Sequence, residues 1–107
     1  MGTNLGRKIR ELRKSKEWTL DQLAAAAGLS KSYLWDLENR ESPKRPSAET
    51  IKGLADALGV TPEYLMEEDT RPPKEKEKDE AFFRQYRKLS QADKERLRQI
   101  IEAFKKS

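Results

Sequence analysis

The chain has 107 residues, of which 35% are hydrophobic and 39% charged, so it has room for one small core plus an appendage. The net charge is +4, and the sequence contains neither cysteine nor histidine. This composition excludes disulfides, zinc sites with the usual ligands and histidine-based catalysis. The sequence has no calcium-loop spacing, signal-peptide pattern or membrane-length apolar run, which predicts a soluble cytoplasmic protein with no metal or cofactor.

The first predicted helix begins at Thr3 or Asn4. Leu5, Ile9 and Leu12 follow at i, i+4 and i+7, which places them on one buried face. The positions taken to be exposed are mostly basic: Arg7, Lys8, Arg10 and Lys14.

The stretch TLDQLAAAAGLSKSYLWDLENR, residues 19–40, predicts two short helices joined by a tight bend. Thr19 and Gln22 have the spacing of a capping box, and Gly28 suits the left-handed conformation that ends many helices. Ala24 is small enough to let the two helices cross closely, which leaves the outer face of the second helix protruding. That arrangement is a helix-turn-helix, whose protruding helix enters the major groove of DNA.

The remainder of the chain predicts more helices and no strand. Two further helices are expected between Ser47 and Leu65, after a basic loop that contains Pro43 and Pro46. Nearly all residues from 67 to 78 are charged, polar or proline, which indicates a solvated linker. The predicted organisation has three parts: a helix-turn-helix domain at 1–68, a charged linker at 69–78, and a helical hairpin at 79–107.

The sequence resembles the Cro and phage-repressor (XRE-like) type of helix-turn-helix regulators over residues 5–66. The positions that carry the resemblance are Arg13, the T-x-x-Q-L-A pattern of Thr19–Ala24, Gly28–Ser30, Leu34, Leu37–Asn39, Pro46, Ser47 and Ala57–Leu65. The resemblance implies an all-α, five-helix, lambda-repressor-like domain. It also implies an ion pair between Arg13 and Glu38 that ties the first helix to the recognition helix. Two positions depart from the family: Leu20 replaces a phosphate-contacting glutamine, and Arg40 replaces the usual glycine.

The outward positions of the recognition helix are the candidates for base reading: Lys31, Ser32, Trp35 and Asp36. Lys31 suits guanine, Ser32 suits several base edges, and Asp36 suits the amino group of cytosine. Trp35 either contacts thymine methyl groups or lies half-buried against a neighbouring helix. The candidates for phosphate contacts are Thr19, Gln22, Tyr33, Asn39, Arg40, Lys44 and Arg45. For Lys44 and Arg45 the alternative is an ordinary solvated loop.

The predicted hairpin has more apolar side chains than it can bury by itself: Phe82, Phe83, Tyr86, Leu89, Leu97, Ile100, Ile101 and Phe104. A second copy of the hairpin would cover them and give a two-fold homodimer. The two recognition helices would then lie about 34 Å apart, which predicts a palindromic operator. Alternatively the hairpin folds back on its own first domain. The basic residues of the tail are expected to form a solvated face: Arg84, Arg87, Lys88, Arg96 and Arg98.

The leading functional hypothesis is a sequence-specific regulator that binds double-stranded DNA, most simply a dimeric repressor. The alternative is an antitoxin-like or partner-controlled module, whose tail binds a toxin, a protein antagonist or a peptidase. An enzyme is not expected, because the sequence has no phosphate-binding glycine loop and no carboxylate pair in a predicted cleft. Binding to duplex RNA is disfavoured, since its deep and narrow major groove excludes a helix.

Overall fold

The computed structural model describes residues 3–40, 45–68 and 71–106, and within these ranges it contains helices and no strand. The helices are α1 (Asn4–Ser15), α2 (Leu20–Ala27), α3 (Lys31–Asn39), α4 (Ala48–Leu58), α5 (Pro62–Met66), α6 (Glu75–Arg87) and α7 (Gln91–Lys106). The predicted all-α fold class is confirmed. In the described part of the chain no helix combines the length and the apolar character needed to cross a membrane.

A serine or threonine begins each of the first five helices, and its hydroxyl accepts a hydrogen bond from a backbone N–H three residues later. These residues are Thr3, Thr19, Ser30, Ser47 and Thr61. Each such cap stabilises its helix by about 1 kcal/mol. Gly28 and Gly59 end α2 and α4 with φ of 71° and 72°, in the left-handed region that glycine adopts without steric cost. Residues at the helix ends themselves therefore determine where these helices begin and end, as the sequence predicted.

One apolar core lies among α1–α5. Its buried members are Ile9, Leu23, Ala24, Leu34, Leu37, Ile51, Leu54, Ala55, Leu58, Val60, Tyr64 and Leu65. At one point α1 approaches α3 with no space for a side chain: a Cβ atom at Gly6 would lie 2.2 Å from the carbonyl oxygen of Leu37. The backbone of α1 thus packs directly on the end of α3.

Lys8 is buried in this domain, and the prediction that it is exposed is wrong. Its Nζ donates to the carbonyl oxygens of Tyr64 and Glu67, at 2.7 Å each, and lies 4.5 Å from the centre of the Tyr64 ring. Both carbonyls lie at the end of α5, where the backbone oxygens carry partial negative charge. The ammonium group therefore ties α1 to α5.

The C-terminal tail does not leave the domain at once. α6 begins at Glu75, inside the range predicted to be a linker, and packs on α4 with Ala81 only 3% exposed. The Gln85 amide donates to the backbone oxygen of Asp56 at 2.7 Å. None of the residues of α7, all of which are described, is buried. The tail therefore has one helix attached to the domain and a second that extends into solvent.

Candidate nucleic-acid and partner interfaces

One side of α3 is buried in the core and the other side is exposed to solvent. Leu34, Leu37 and Glu38 are buried, whereas Lys31 and Ser32 are exposed and Trp35 is 49% exposed. This division follows the 3.6-residue period of the helix. The four residues predicted to read bases therefore share the open side of α3, with Asp36 at its half-buried edge.

The bend between α2 and α3 is short and well defined. The Leu29 N–H donates to the Ala24 carbonyl at 2.8 Å, across Gly28, and Ser30 then caps α3. Lys31 Nζ lies 3.4 Å from Asp21 Oδ2 on the first turn of α2, and both side chains are largely exposed. An exposed pair of this kind contributes less than about 1 kcal/mol, so it holds the Lys31 ammonium only weakly.

Asp36 and Arg40 form a second surface pair, with Arg40 Nε 3.0 Å from Asp36 Oδ1. The aspartate precedes the arginine by one helical turn, which is the favourable order for such a pair. Asp36 is a predicted base contact and Arg40 a predicted phosphate contact. In the structure the two side chains act together: Arg40 neutralises the carboxylate and is itself held near the end of α3.

A buried ion pair fixes the end of α3 against α1. Arg13 donates to both Glu38 oxygens, at 2.8 Å from Nε and 2.9 Å from Nη2, and to the Trp18 carbonyl at 2.8 Å. The side chains of Arg13 and Glu38 are 12% and 1% exposed. The hydrogen bonds to Glu38 raise the pKa of the Arg13 guanidinium, so this guanidinium stays charged at any ordinary pH.

Arg10 contacts the end of α3, which the sequence did not indicate. It donates to the side-chain oxygen of Asn39 and lies 3.7 Å from Glu38 Oε1. Asn39 in turn donates to the Trp35 carbonyl at 2.9 Å. The structure therefore holds Asn39, a predicted phosphate contact, by two hydrogen bonds within the protein. No sequence signal connects Arg10 with Asn39, because they lie on different helices.

The remaining candidates for phosphate contacts differ in how exposed they are. Thr19 and Gln22 are exposed and cap each other: Gln22 N donates to Thr19 Oγ1 at 3.1 Å, and Thr19 N to Gln22 Oε1 at 2.8 Å. Tyr33 is half-buried against the core, whereas Arg45 is exposed. Lys44 lies outside the described residues.

A second candidate surface lies on the tail. Its exposed large apolar residues are Phe82, Phe83, Leu89, Ile100, Ile101 and Phe104. Tyr86 and Leu97 are half-buried. The Tyr86 ring stacks on Phe82 at 6.5 Å between centroids and meets Phe83 edge-on at 6.3 Å. This concentration of exposed aromatic and aliphatic groups is typical of a protein-binding surface.

A capped α2, a left-handed glycine and a protruding α3 define the chain as a helix-turn-helix protein. A family model described as "Helix-turn-helix" matches residues 9–65. This is more than half of the chain, and the chain belongs to that family. The resemblance to the Cro and phage-repressor type is thereby confirmed.

Individual relatives match the same region. The immunity repressor protein of Bacillus phage phi105 is 38% identical over 66 residues, which are 62% of this chain and 44% of the repressor. SinR, the master regulator for biofilm formation, has been solved in complex with DNA. That SinR chain is 32% identical, with a TM-score of 0.55 over 59% of this chain and 98% of its own length. The chain spans about half the length of the curated relatives that it matches.

The tail has a structural counterpart as well. A chain of the SinR protein/SinI protein complex matches 96% of this chain and 99% of its own length, with a TM-score of 0.57. It is 22% identical, so this likeness concerns the fold alone. The arrangement of a helix-turn-helix domain followed by further helices therefore occurs in a protein of known structure.

Proposed function

We propose that the chain is a transcription regulator that binds double-stranded DNA by inserting α3 into the major groove. The observation that carries the proposal is the division of α3: its inner side is buried and tied to Arg13 through Glu38, and its outer side presents Lys31, Ser32 and Trp35 to solvent. A rigid backbone with accessible polar side chains is what base recognition requires. The solved complex of the relative SinR with DNA supports the same function.

Base recognition is assigned to Lys31, Ser32, Trp35 and Asp36. Lys31 donates to guanine O6 or N7, and Asp36 accepts from cytosine when Arg40 turns to phosphate. Trp35 is 49% exposed, which favours contact with thymine methyl groups over packing against a neighbouring helix. The phosphate contacts come from the start of α2 and from the basic residues after α3: Thr19, Gln22, Tyr33, Asn39, Arg40, Lys44 and Arg45.

We propose further that the regulator is a homodimer and reads a palindromic operator as a repressor. The apolar residues of α6 and α7 remain exposed in the single chain, and a second copy would bury them. The alternative occupant is a different protein, such as an antagonist, a toxin or a peptidase. In sedimentation at micromolar concentration the purified chain should have the mass of a dimer, and a monomer would favour the alternative occupant.

Selection of bound duplexes from a random pool, at a stated salt concentration, tests DNA recognition directly. We expect two inverted half-sites whose centres lie about one helical turn, or 34 Å, apart. Lys31→Ala should relax the preference at one base pair by about 1–3 kcal/mol, whereas Arg45→Ala should weaken binding to all sequences alike. Lys76→Ala, which removes an exposed lysine of α6, is the matched control. An equal loss on every sequence for Lys31→Ala would remove Lys31 from base recognition.

A further inference from the structure

α6 has two faces with different partners. Residues spaced at helical intervals face the first domain: Glu77, Ala81, Arg84, Gln85 and Lys88. The exposed apolar residues Phe82 and Phe83 lie at other positions of the helix, and Leu89 follows its end. The helix thus connects the DNA-binding domain on one side with the proposed dimer surface on the other.

The start of α6 is attached to α5 by a group of residues that we name the Arg71 cluster: Tyr64, Glu67, Arg71 and Glu77. Arg71 donates to both oxygens of Glu77 at 2.7 Å and to Glu67 Oε2 at 2.9 Å. Its guanidinium carbon lies 5.3 Å from the centre of the Tyr64 ring, and the Tyr64 hydroxyl donates to the Arg71 carbonyl. Since Tyr64 belongs to the core, the segment before α6 is connected to the interior of the domain.

The other end of α6 is attached to α4 by the Asp56 cluster: Asp56, Arg84, Gln85 and Lys88. The Asp56 carboxylate lies 3.3 Å from Arg84 Nη2 and 3.1 Å from Lys88 Nζ, and its backbone oxygen accepts from Gln85 at 2.7 Å. Glu77 and Lys88 are separated by about 16 Å along the helix. Two attachments at this separation fix the direction of α6, whereas a single attachment would let it pivot.

We propose that Asp56 and Arg71 determine the spacing between the two operator half-sites. This inference rests on the proposed dimeric, DNA-binding function. If α6 is fixed on the domain and pairs with a second copy through its apolar residues, the separation and relative rotation of the two recognition helices are fixed as well. A rigid connection gives the second DNA-binding domain of the dimer a high effective concentration at a half-site with one particular spacing. A flexible connection gives it a lower effective concentration at half-sites with many different spacings.

The test compares binding to two operators, one with the preferred half-site spacing and one with two extra base pairs at its centre. The insertion rotates the second half-site by about 70° and moves it by about 7 Å. The wild type should have a dissociation constant for the altered operator that is at least about tenfold higher than for the preferred one. The double variant Asp56→Ala, Arg71→Ala should discriminate between them by less than about threefold.

Two further variants make the test specific. Arg84→Ala, Lys88→Ala removes contacts to Asp56 from the tail side without altering the core domain, and it should also reduce spacing discrimination. Arg96→Ala removes an exposed pair with Asp93 inside α7 and should keep the discrimination of the wild type. Circular dichroism and sedimentation of each variant verify that it folds and dimerises.

The outcomes separate the inference from the function on which it rests. If the wild type binds no DNA, the proposed function and the spacing inference both fail. If it binds DNA only as a monomer, the proposed homodimer and the spacing inference fail and DNA binding by α3 stands. If the dimer binds DNA but tolerates the insertion, or if the variants discriminate as the wild type does, the spacing inference fails and the function stands.

Discussion

The ion pair between Arg13 and Glu38 is the contact whose loss we expect to destabilise the domain most clearly. Arg13→Ala removes three charge-assisted hydrogen bonds, two to Glu38 and one to the Trp18 carbonyl, and leaves a carboxylate that is 1% exposed. Removing one partner of a buried pair costs about 3–5 kcal/mol. Arg10, whose Nε lies 3.7 Å from Glu38 Oε1, would remain and compensate in part. We therefore expect a loss of about 3 kcal/mol in the free energy of unfolding.

Urea unfolding followed by circular dichroism measures this loss, at one fixed protein concentration because dimerisation would add to the apparent stability. Arg10→Ala is the matched control, since it removes an arginine from the same helix that is 43% exposed and more distant from Glu38. Its expected cost is under about 1 kcal/mol. The double-mutant cycle of Arg13→Ala with Glu38→Gln then isolates the interaction between the two side chains.

The result that would refute the reasoning is a cost below about 1 kcal/mol for Arg13→Ala, which is the range of an exposed ion pair. Equal costs for Arg13→Ala and Arg10→Ala would refute it too. Because Glu38 lies at the end of α3, the same variant should also weaken DNA binding. That loss should affect all sequences alike, since Arg13 holds the helix and does not face its open side.

Three other substitutions test separate contacts. Gly6→Ala places a Cβ atom 2.2 Å from the Leu37 carbonyl oxygen and should lower the free energy of unfolding by about 1–3 kcal/mol. Arg71→Ala should raise the pKa of Glu77 from about 2 toward its ordinary 4.5, as measured by carbon NMR, because the Arg71 hydrogen bonds are the main cause of the lowered value. Thr19→Ala removes the cap of α2 and should cost about 1 kcal/mol.

A matched variant or a contrary result checks the physical cause of each of these three effects. Gly53→Ala should cost less than Gly6→Ala, since its nearest atom is the Ala27 carbonyl oxygen at 3.1 Å; the reverse order would contradict the close approach of α1 to α3. Thr19→Ser keeps the hydroxyl and should stay close to the wild type in stability. For Glu77, a carboxyl that still titrates near 2 without Arg71 would assign the shift to its backbone hydrogen bond from Lys74.

The lowered pKa of Glu77 also gives its stabilising contribution a definite pH range. The carboxylate is favoured in the folded state, so the contribution is fully present above pH 4.5 and is lost as the pH falls toward about 2. The difference in the free energy of unfolding between the wild type and Arg71→Ala should become smaller as the pH falls over the same range. It should be constant near neutral pH.

Local features of the fold were predictable from the sequence, because each depends on residues close together in the chain. The capping box of Thr19 and Gln22 and the left-handed Gly28 are examples. Lys8 was predictable in principle: it follows Leu5 by three residues and precedes Leu12 by four, so it falls on the apolar stripe of α1. A lysine on such a stripe needs buried acceptors, and the carbonyls at the end of α5 supply them.

Contacts between distant charges were not predictable in the same way. Arg84 and Lys88 were expected to form a solvated face, yet the structure pairs both with Asp56 on α4. The charged stretch from residue 69 to 78 was predicted to be a linker, although α6 begins within it and Arg71 makes a bidentate pair with Glu77 in the first turn of that helix. A sequence pattern states which residues share a helix face, but it does not state which other element that face meets.

The polar contacts of α3 fall into two classes that suit a recognition helix. Lys31 with Asp21 and Asp36 with Arg40 are exposed pairs, and exposed pairs are weak and screened by salt. In the proposed complex with DNA, such partners can be exchanged for bases or phosphates at little cost. Glu38 is different, because its buried pair with Arg13 holds the backbone of the helix. Breaking that pair lowers the free energy of unfolding much more than breaking an exposed pair. The backbone of α3 can therefore keep its position while its outer side chains change partners. The proposed recognition of bases requires both properties.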